Sequence, residues 1–295
     1  MTLVTLEAML KEACARVGLS SDGAELIRQG ENALYRLPDH VVVRIARLGQ
    51  VDAAKKEVAV SRWLASVGIN AVEALEEIQQ PVVLDGLPVT FWWELPDHRH
   101  GSFAEVAAAL KQLHAAPMPT DFDLAPLAPF VRLSERIDGA STLSDDDRAW
   151  LRRRLDDLQQ SYAELPSGLP TSVIHGDAWA GNVVATDRGD VILLDLERCS
   201  VGPPEWDLVS TAVRHSTFGT MSAVDYGVFA EAYGHDVMAW PGFEALRDVR
   251  ELRVTCYAAQ CASENEKFRE EATLRVASLR GLRGTRPWPD WKPLT

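Results

Sequence analysis

The pattern of apolar and polar positions changes character about a third of the way along the chain. Before Pro96 the pattern is short and strand-like. Ala24 to Leu37 predicts two brief strands around Gly30-Glu31-Asn32, and Val41-Val42-Val43-Arg44-Ile45 is a β-branched strand. Asp52 to Val67 places Ala54, Val58, Trp63, Leu64 and Val67 at helical spacing, with Gly68 positioned to end the helix. Pro81 to Leu95 holds two further strands broken by Asp85-Gly86, a hairpin pair. An amphipathic helix over Met1 to Arg16, with Leu6, Met9, Leu10 and Cys14 on one side, precedes them.

Beyond Pro96 the pattern predicts mostly helix. Phe103 to Ala115 is Ala-rich and periodic. Ser144 is a natural N-cap for a helix to about Leu165, and Asp145, Asp146 and Asp147 suit its positive end. Trp206 to Arg214, Ser222 to Tyr233 and Phe243 to about Arg280 read as further helices. Val173-Ile174 and Val191 to Leu194 are short apolar strands, and the Pro- and Trp-containing tail after Thr285 has no regular period. The reading is an α+β chain of two lobes. A small strand-rich N-lobe over residues 1–96 would bind nucleotide, and a larger, mainly helical C-lobe over 97–295 would carry catalysis and the acceptor. A connector near Glu94 to His98 joins them, and a cleft between lobes is a usual ligand site.

Composition narrows the class. With 295 residues, 46% hydrophobic and 25% charged, the chain has the make-up of a soluble globular protein. No apolar run reaches the roughly 18 residues of a membrane span, and the first residues lack the basic end and apolar block of a secretory leader. Cys14, Cys199, Cys256 and Cys261 are scattered without a CxxC pair, so neither a zinc site nor a disulfide framework is predicted and the expected setting is the reducing cytoplasm. A net charge of −13 argues against a general nucleic-acid binder. It is compatible with a cationic acceptor drawn in by steering, and equally with solubility alone.

The candidate chemistry lies in His175-Gly176-Asp177-Ala178-Trp179-Ala180-Gly181-Asn182, followed by Leu193-Leu194-Asp195. An Asp, an Asn five residues on and a second Asp at a strand end suit phosphoryl transfer. Asp177 would accept the proton of an attacking hydroxyl. Asn182 and Asp195 offer the oxygen ligands that Mg²⁺ prefers. The protein-kinase signature has the same Asp-to-Asn interval, with His-Arg-Asp where His-Gly-Asp stands here. His175 would brace this loop, and a zinc-hydrolase reading of His175 with Asp177 lacks the further His or Cys ligands. A kinase-like N-lobe also needs a cation for the phosphates, paired with a helix Glu. Arg44 stands at the Lys place of the pattern Val-x-x-Lys, and Glu57 is the one Glu in the helix that follows.

These segments, with Gly202-Pro203-Pro204-Glu205-Trp206-Asp207-Leu208, resemble the aminoglycoside phosphotransferase and choline kinase family. The resemblance implies a protein-kinase-like fold and phosphorylation of a small-molecule hydroxyl with ATP, or GTP, and Mg²⁺. It places the catalytic Asp on Asp177, the Mg²⁺ ligands on Asn182 and Asp195, and a loop-supporting Asp on Asp207. Glu197 joins the metal or substrate residues if the strand continues and carries it to the side of Asp195, as in the Asp-x-Glu of methylthioribose kinases. Gly30 to Tyr35, including Asn32, resembles the phosphate-covering loop with one Gly instead of three, and adenine would pair with the backbone of Glu94 and Leu95. Amine-binding members use carboxylates in the acceptor wall, which makes Glu251, Glu264 and Glu266 the substrate candidates. Aminoglycoside-like, choline-like, sugar and glycated-amine acceptors all remain, the last because Trp179 is similar to fructosamine kinases. A nucleotide-binding regulator without turnover is the reading from another class.

Overall fold

The computed structural model describes residues 3–30 and 32–294. They form two compact units, Met1–Ala125 with Ala180–Ser200 and Pro126–Trp179 with Val201–Thr295.

The first unit is built on a five-stranded antiparallel sheet. Helix α1 (Leu3–Val17) precedes β1 (Glu25–Gln29), β2 (Ala33–Leu37) and β3 (Val41–Ile45), and α2 (Val51–Ser66) leads to β4 (Val82–Leu84) and β5 (Leu87–Trp93). The strand order is β1-β2-β3-β5-β4. Alternation decides the faces. Val41, Val43 and Ile45 point into a core shared with Leu6, Met9, Leu10 and Cys14 of α1. Burying each of those long aliphatic side chains contributes about 1.5–3 kcal/mol. The opposite face carries Trp92, which packs on Val58 of α2. Arg44 lies on that face too, since Val42 pairs with Trp92 and Arg44 with Thr90 in the β3–β5 register. Of the two tryptophans at the strand end, Trp92 is core and Trp93 is exposed. The Asp85-Gly86 turn has both residues at positive φ, +49° and +78°, as a two-residue hairpin requires. Gly68 closes α2 at φ +74°.

Beyond Pro96 the first unit continues with β6 (His98–His100) and α3 (Phe103–Ala115). A capping box starts α3, Ser102 accepting from the Glu105 amide while the Glu105 carboxylate accepts from the Ser102 amide. The second unit begins with α4 (Leu133–Asp138), α5 (Asp145–Ala163) and β7 (Ser172–Ile174). Ser144 caps α5 through the Asp147 amide. The chain then returns to the first unit as β8 (Val183–Thr186) and β9 (Val191–Leu193), which add to β6 as a three-stranded sheet. The lobe division drawn at 96/97 is thus a different division from the two compact units, because β6, α3, β8 and β9 belong with the first.

The second unit resumes with β10 (Ser200–Gly202), which pairs with β7, followed by α6 (Glu205–Ser216), α7 (Ala223–Tyr233), α8 (Phe243–Glu264) and α9 (Arg269–Leu279). The single long helix predicted from Phe243 to Arg280 is two helices. Asn265 leaves helical geometry at φ −149°, ψ 115°, and its side chain accepts from the Lys267 amide. This is the backbone competition that makes Asn a helix breaker. The tail is packed: Trp288 and Trp291 are buried and stacked 5.3 Å apart. Arg286 donates to both carboxylate oxygens of Glu251, at 2.7 and 2.6 Å, and Thr217 donates to one of them at 2.6 Å. Glu251 is 1% exposed. A buried carboxylate stripped of its cation is expensive. Arg286→Ala should therefore lower unfolding free energy by about 3 kcal/mol, measured by urea denaturation, with Arg286→Lys recovering part. A loss below about 1 kcal/mol would mean that the pair behaves as a surface contact.

Candidate functional site

The first unit holds a buried charged pair and the residues near it. Arg44 emerges from β3 toward α2 and meets Glu57 there, Nη1 donating to Oε1 at 3.0 Å and Nη2 lying 2.5 Å from Oε2. Glu57 is 2% exposed. Burial pushes its carboxyl up to about 7; Arg44 opposes that rise, and the carboxylates of Asp195 and Glu197 add to it. Glu57 is the carboxylate that pairs with the guanidinium, and the charges of two further acids reach it. The buried Arg44 Nε has no hydrogen-bond partner. A donor of this kind asks for an anionic oxygen from outside the protein.

Asn182 and Asp195 come together through the β8–β9 ladder. Val183 faces Leu193, and one step further the Leu194 amide donates to the Asn182 carbonyl at 2.9 Å. Asp195 follows directly. The ladder is fixed to the segment after α2, for the Val72 amide donates to the Leu193 carbonyl at 2.8 Å and the Leu193 amide to the Asn70 carbonyl at 3.1 Å. Asp195 itself is left-handed, φ 57° and ψ 62°. That conformation costs an ordinary residue about 1–2 kcal/mol and is tolerated by Asp. It ends the strand, so the assumption that the strand carries Glu197 to the side of Asp195 fails. Leu196–Arg198 is instead a 3-10 turn. Lys56 of α2 donates to the Cys199 carbonyl after this turn, at 3.3 Å. Glu197 still approaches Glu57 closely enough to act on its proton affinity, by way of the turn.

The donor set fits a hard divalent cation. Asn182 and Asp195 bring a neutral and an anionic oxygen, the kind of pair that holds Mg²⁺ together with water and phosphate. Among the described residues there is no group of three or more His, Cys, Asp or Glu able to hold a metal alone.

The second unit supplies the loop that carries Asp177. β7 delivers His175, buried, and Gly176, at φ +83°. A side chain at that φ would be strained, so glycine turns the chain here. Asp207, on the first turn of α6, is fully buried and accepts from the amides of His175 at 2.7 Å and Gly176 at 2.8 Å. Trp206 donates its indole N–H to the Gly176 carbonyl at 3.2 Å. His175 Nδ1 accepts from the Asp177 amide at 3.4 Å, a long contact. Both residues brace the loop. The Asp177 side chain is left 38% exposed.

One residue beside Asp177 was missed. Arg250 of α8 puts Nη1 3.9 Å from Asp177 Oδ1, and its guanidinium lies over the Trp206 ring at 4.7 Å. The available signal was the spacing Arg247, Arg250, Arg253 on one side of the helix assigned to the acceptor wall. The search there was for carboxylates. Those carboxylates are placed differently. Glu251 is enclosed by Thr217 and Arg286 within the protein. Glu264, exposed at the end of α8, accepts from Gln260, and exposed Glu266 pairs with Arg269.

At the N-lobe, the Gly30 amide donates to the Asn32 carbonyl at 3.1 Å, making a tight turn; Glu31 lies outside the described residues. The Glu94 amide donates to the His40 carbonyl at 2.7 Å, and its carboxylate is held by Arg36 and His40. Glu94 therefore has its amide engaged within the protein, and Leu95 is half-buried beside it.

The sequence profile of the Phosphotransferase enzyme family matches residues 24–248. No curated protein matches. Among solved structures, a choline/ethanolamine kinase family protein from Mesorhizobium loti is 21% identical, with a TM-score of 0.68 and 96% of each chain covered. A spectinomycin phosphotransferase in complex with ADP and spectinomycin is 14% identical, TM-score 0.65, with 94% of each chain covered. An amicoumacin kinase in complex with AMP-PNP and Ca²⁺ is 14% identical, TM-score 0.66, covering 91% of this chain and 94% of its own. At such identities these likenesses establish the fold, which is protein-kinase-like. Matched over most of its length, the chain belongs to the phosphotransferase enzyme family and is a small-molecule phosphotransferase.

Proposed function

We propose that the chain transfers the γ-phosphoryl group of ATP to a hydroxyl of a small molecule in the cytoplasm, with Asp177 accepting the hydroxyl proton. Residues 1–96 form the nucleotide lobe in this reading and 97–295 the catalytic and acceptor lobe. The observation that carries it is the buried Arg44–Glu57 pair, whose guanidinium Nε has no acceptor in the protein while the charges of Asp195 and Glu197 act on Glu57. A magnesium nucleotide meets both demands, presenting a cation to the acids and phosphate oxygens to the arginine.

In this reading Glu57 fixes the Arg44 fork, and Arg44 holds nonbridging phosphate oxygens. Asn182 and Asp195 would hold Mg²⁺, which when bound offsets phosphate charge and aligns the γ-phosphoryl group for transfer. Gly30 and Asn32 shape the turn over the phosphates, and the segment at Glu94 and Leu95 receives adenine. Because the Glu94 amide is engaged with His40, the Leu95 amide is the donor of choice. Asp177 orients the acceptor hydroxyl. As the new oxygen–phosphorus bond forms and the bridging bond breaks, the hydroxyl proton passes to the Asp177 carboxylate and ADP departs. His175 and Asp207 act on this step only through the loop. The cationic character expected of the acceptor has only the net charge of −13 behind it, since Glu251, Glu264 and Glu266 are engaged as described above. GTP would satisfy the phosphate contacts equally.

Asp177→Ala should lower kcat for phosphoryl transfer by about 10²–10⁴-fold while nucleotide affinity, measured by calorimetry, changes little. Full turnover would remove Asp177 from the chemistry. Asp195→Ala should abolish the dependence of nucleotide affinity on Mg²⁺ concentration. An unaltered Mg²⁺ titration in that variant would rule out Asp195 as a ligand.

A further inference from the structure

The surroundings of Asp177 carry information about the acceptor. Arg250 is only 12% exposed at its side chain, yet it sits 3.9 Å from the Asp177 carboxylate. Its guanidinium is seated on the Trp206 ring at 4.7 Å, and Trp206 is hydrogen-bonded to Gly176, the residue before Asp177. Arg253 lies over the same indole at 5.5 Å and donates to the Pro129 carbonyl. The cation is thus tied to the same loop as the base, through an aromatic floor that both share.

The separation of Asp177 Oδ1 and Arg250 Nη1 exceeds a direct hydrogen bond. The two form a loose ion pair, so a ligand bound at Asp177 through a hydroxyl would bring its adjoining group against the Arg250 guanidinium, where an anionic oxygen is favoured. A substrate with an ammonium on the carbon next to its hydroxyl would instead bring that charge against the guanidinium. Like charges at this range are unfavourable in a partly enclosed site. We infer that the acceptor is an anionic alcohol, with a carboxylate or phosphate one or two carbons from the hydroxyl that is phosphorylated, and that Arg250 selects it. This inference rests on the assignment of Asp177 as the base in phosphoryl transfer.

The test uses the full-length protein, Mg-ATP and four probes of one skeleton: glycerate, glycerol 3-phosphate, glycerol and 3-amino-1,2-propanediol. ADP release gives kcat and KM, and thermal shift with Mg-AMP-PNP gives binding. An anionic probe should exceed glycerol and the amine in kcat/KM by at least tenfold, and which anionic probe does so separates carboxylate from phosphate. Arg250→Gln should shrink that ratio at least tenfold, chiefly through KM for the anionic probe, and Arg250→Lys should keep part of it. Circular-dichroism melts establish that both variants are folded. Preference for the amine overturns the inference and leaves the phosphotransferase reading standing. An unchanged ratio in folded Arg250→Gln overturns it too, as does failure of both anionic probes to react or to shift the melt. Absence of any Mg-nucleotide binding would overturn both readings together.

Discussion

A carboxylate shut away from water must be solvated by its neighbours, and for Asp207 those neighbours are two consecutive backbone amides, of His175 and Gly176. Bonds to an ionised acceptor are the stronger kind, about 1.5–3 kcal/mol each. They pin the loop one residue ahead of Asp177. Trp206, next to Asp207 on the same helix turn, takes the Gly176 carbonyl and floors Arg250. One turn of α6 therefore fixes the height of the base, the turn that presents it and the cation beside it. Asp177 is left with little backbone freedom, the condition under which the proton-accepting role proposed for its carboxylate would be well oriented.

The first unit works by the opposite electrostatic strategy. At Asp207 charge and donors balance; around Arg44 they do not. Burial raises the proton affinity of Glu57, Arg44 opposes that rise, and the charges of Asp195 and Glu197 add to it. A site that leaves its own charges unbalanced is completed by a ligand that is itself mixed in sign. Asp195 adds a backbone contribution, since its left-handed conformation two residues past the end of β9 turns the chain away from strand geometry.

Much of this was legible in the residues. The β-branched run that holds Arg44 forms a strand, the lone Glu57 of the next helix pairs with Arg44, and the β8–β9 ladder sets the backbone of Asn182 beside that of Leu194. Strand alternation put Arg44 on the α2 face, and helix periodicity put Leu6, Met9 and Leu10 into the core. What was not legible depends on partners far away in sequence. Arg250 matters because α8 brings it onto Trp206, and no local pattern encodes that contact. Glu251 looked like any exposed helical acid until Thr217 and Arg286 enclosed it. The strand route to Glu197 did not hold, because β9 ends at Leu193 and a 3-10 turn follows Asp195. The break at Asn265 was missed because apolar spacing persists on both sides of it.

The order of the chain has a last consequence. The strands that finish the first unit, β8 and β9, are made only after more than fifty residues of the second, and Glu251 waits for Arg286. During synthesis neither half can close as it emerges. Asp195 reaches its place late, and Glu251 has only the longer cation contact with Arg247, at 3.8 Å, until the tail beyond α9 has left the ribosome. Such a nascent chain stays dependent on holding factors longer than a protein whose domains follow one another in sequence.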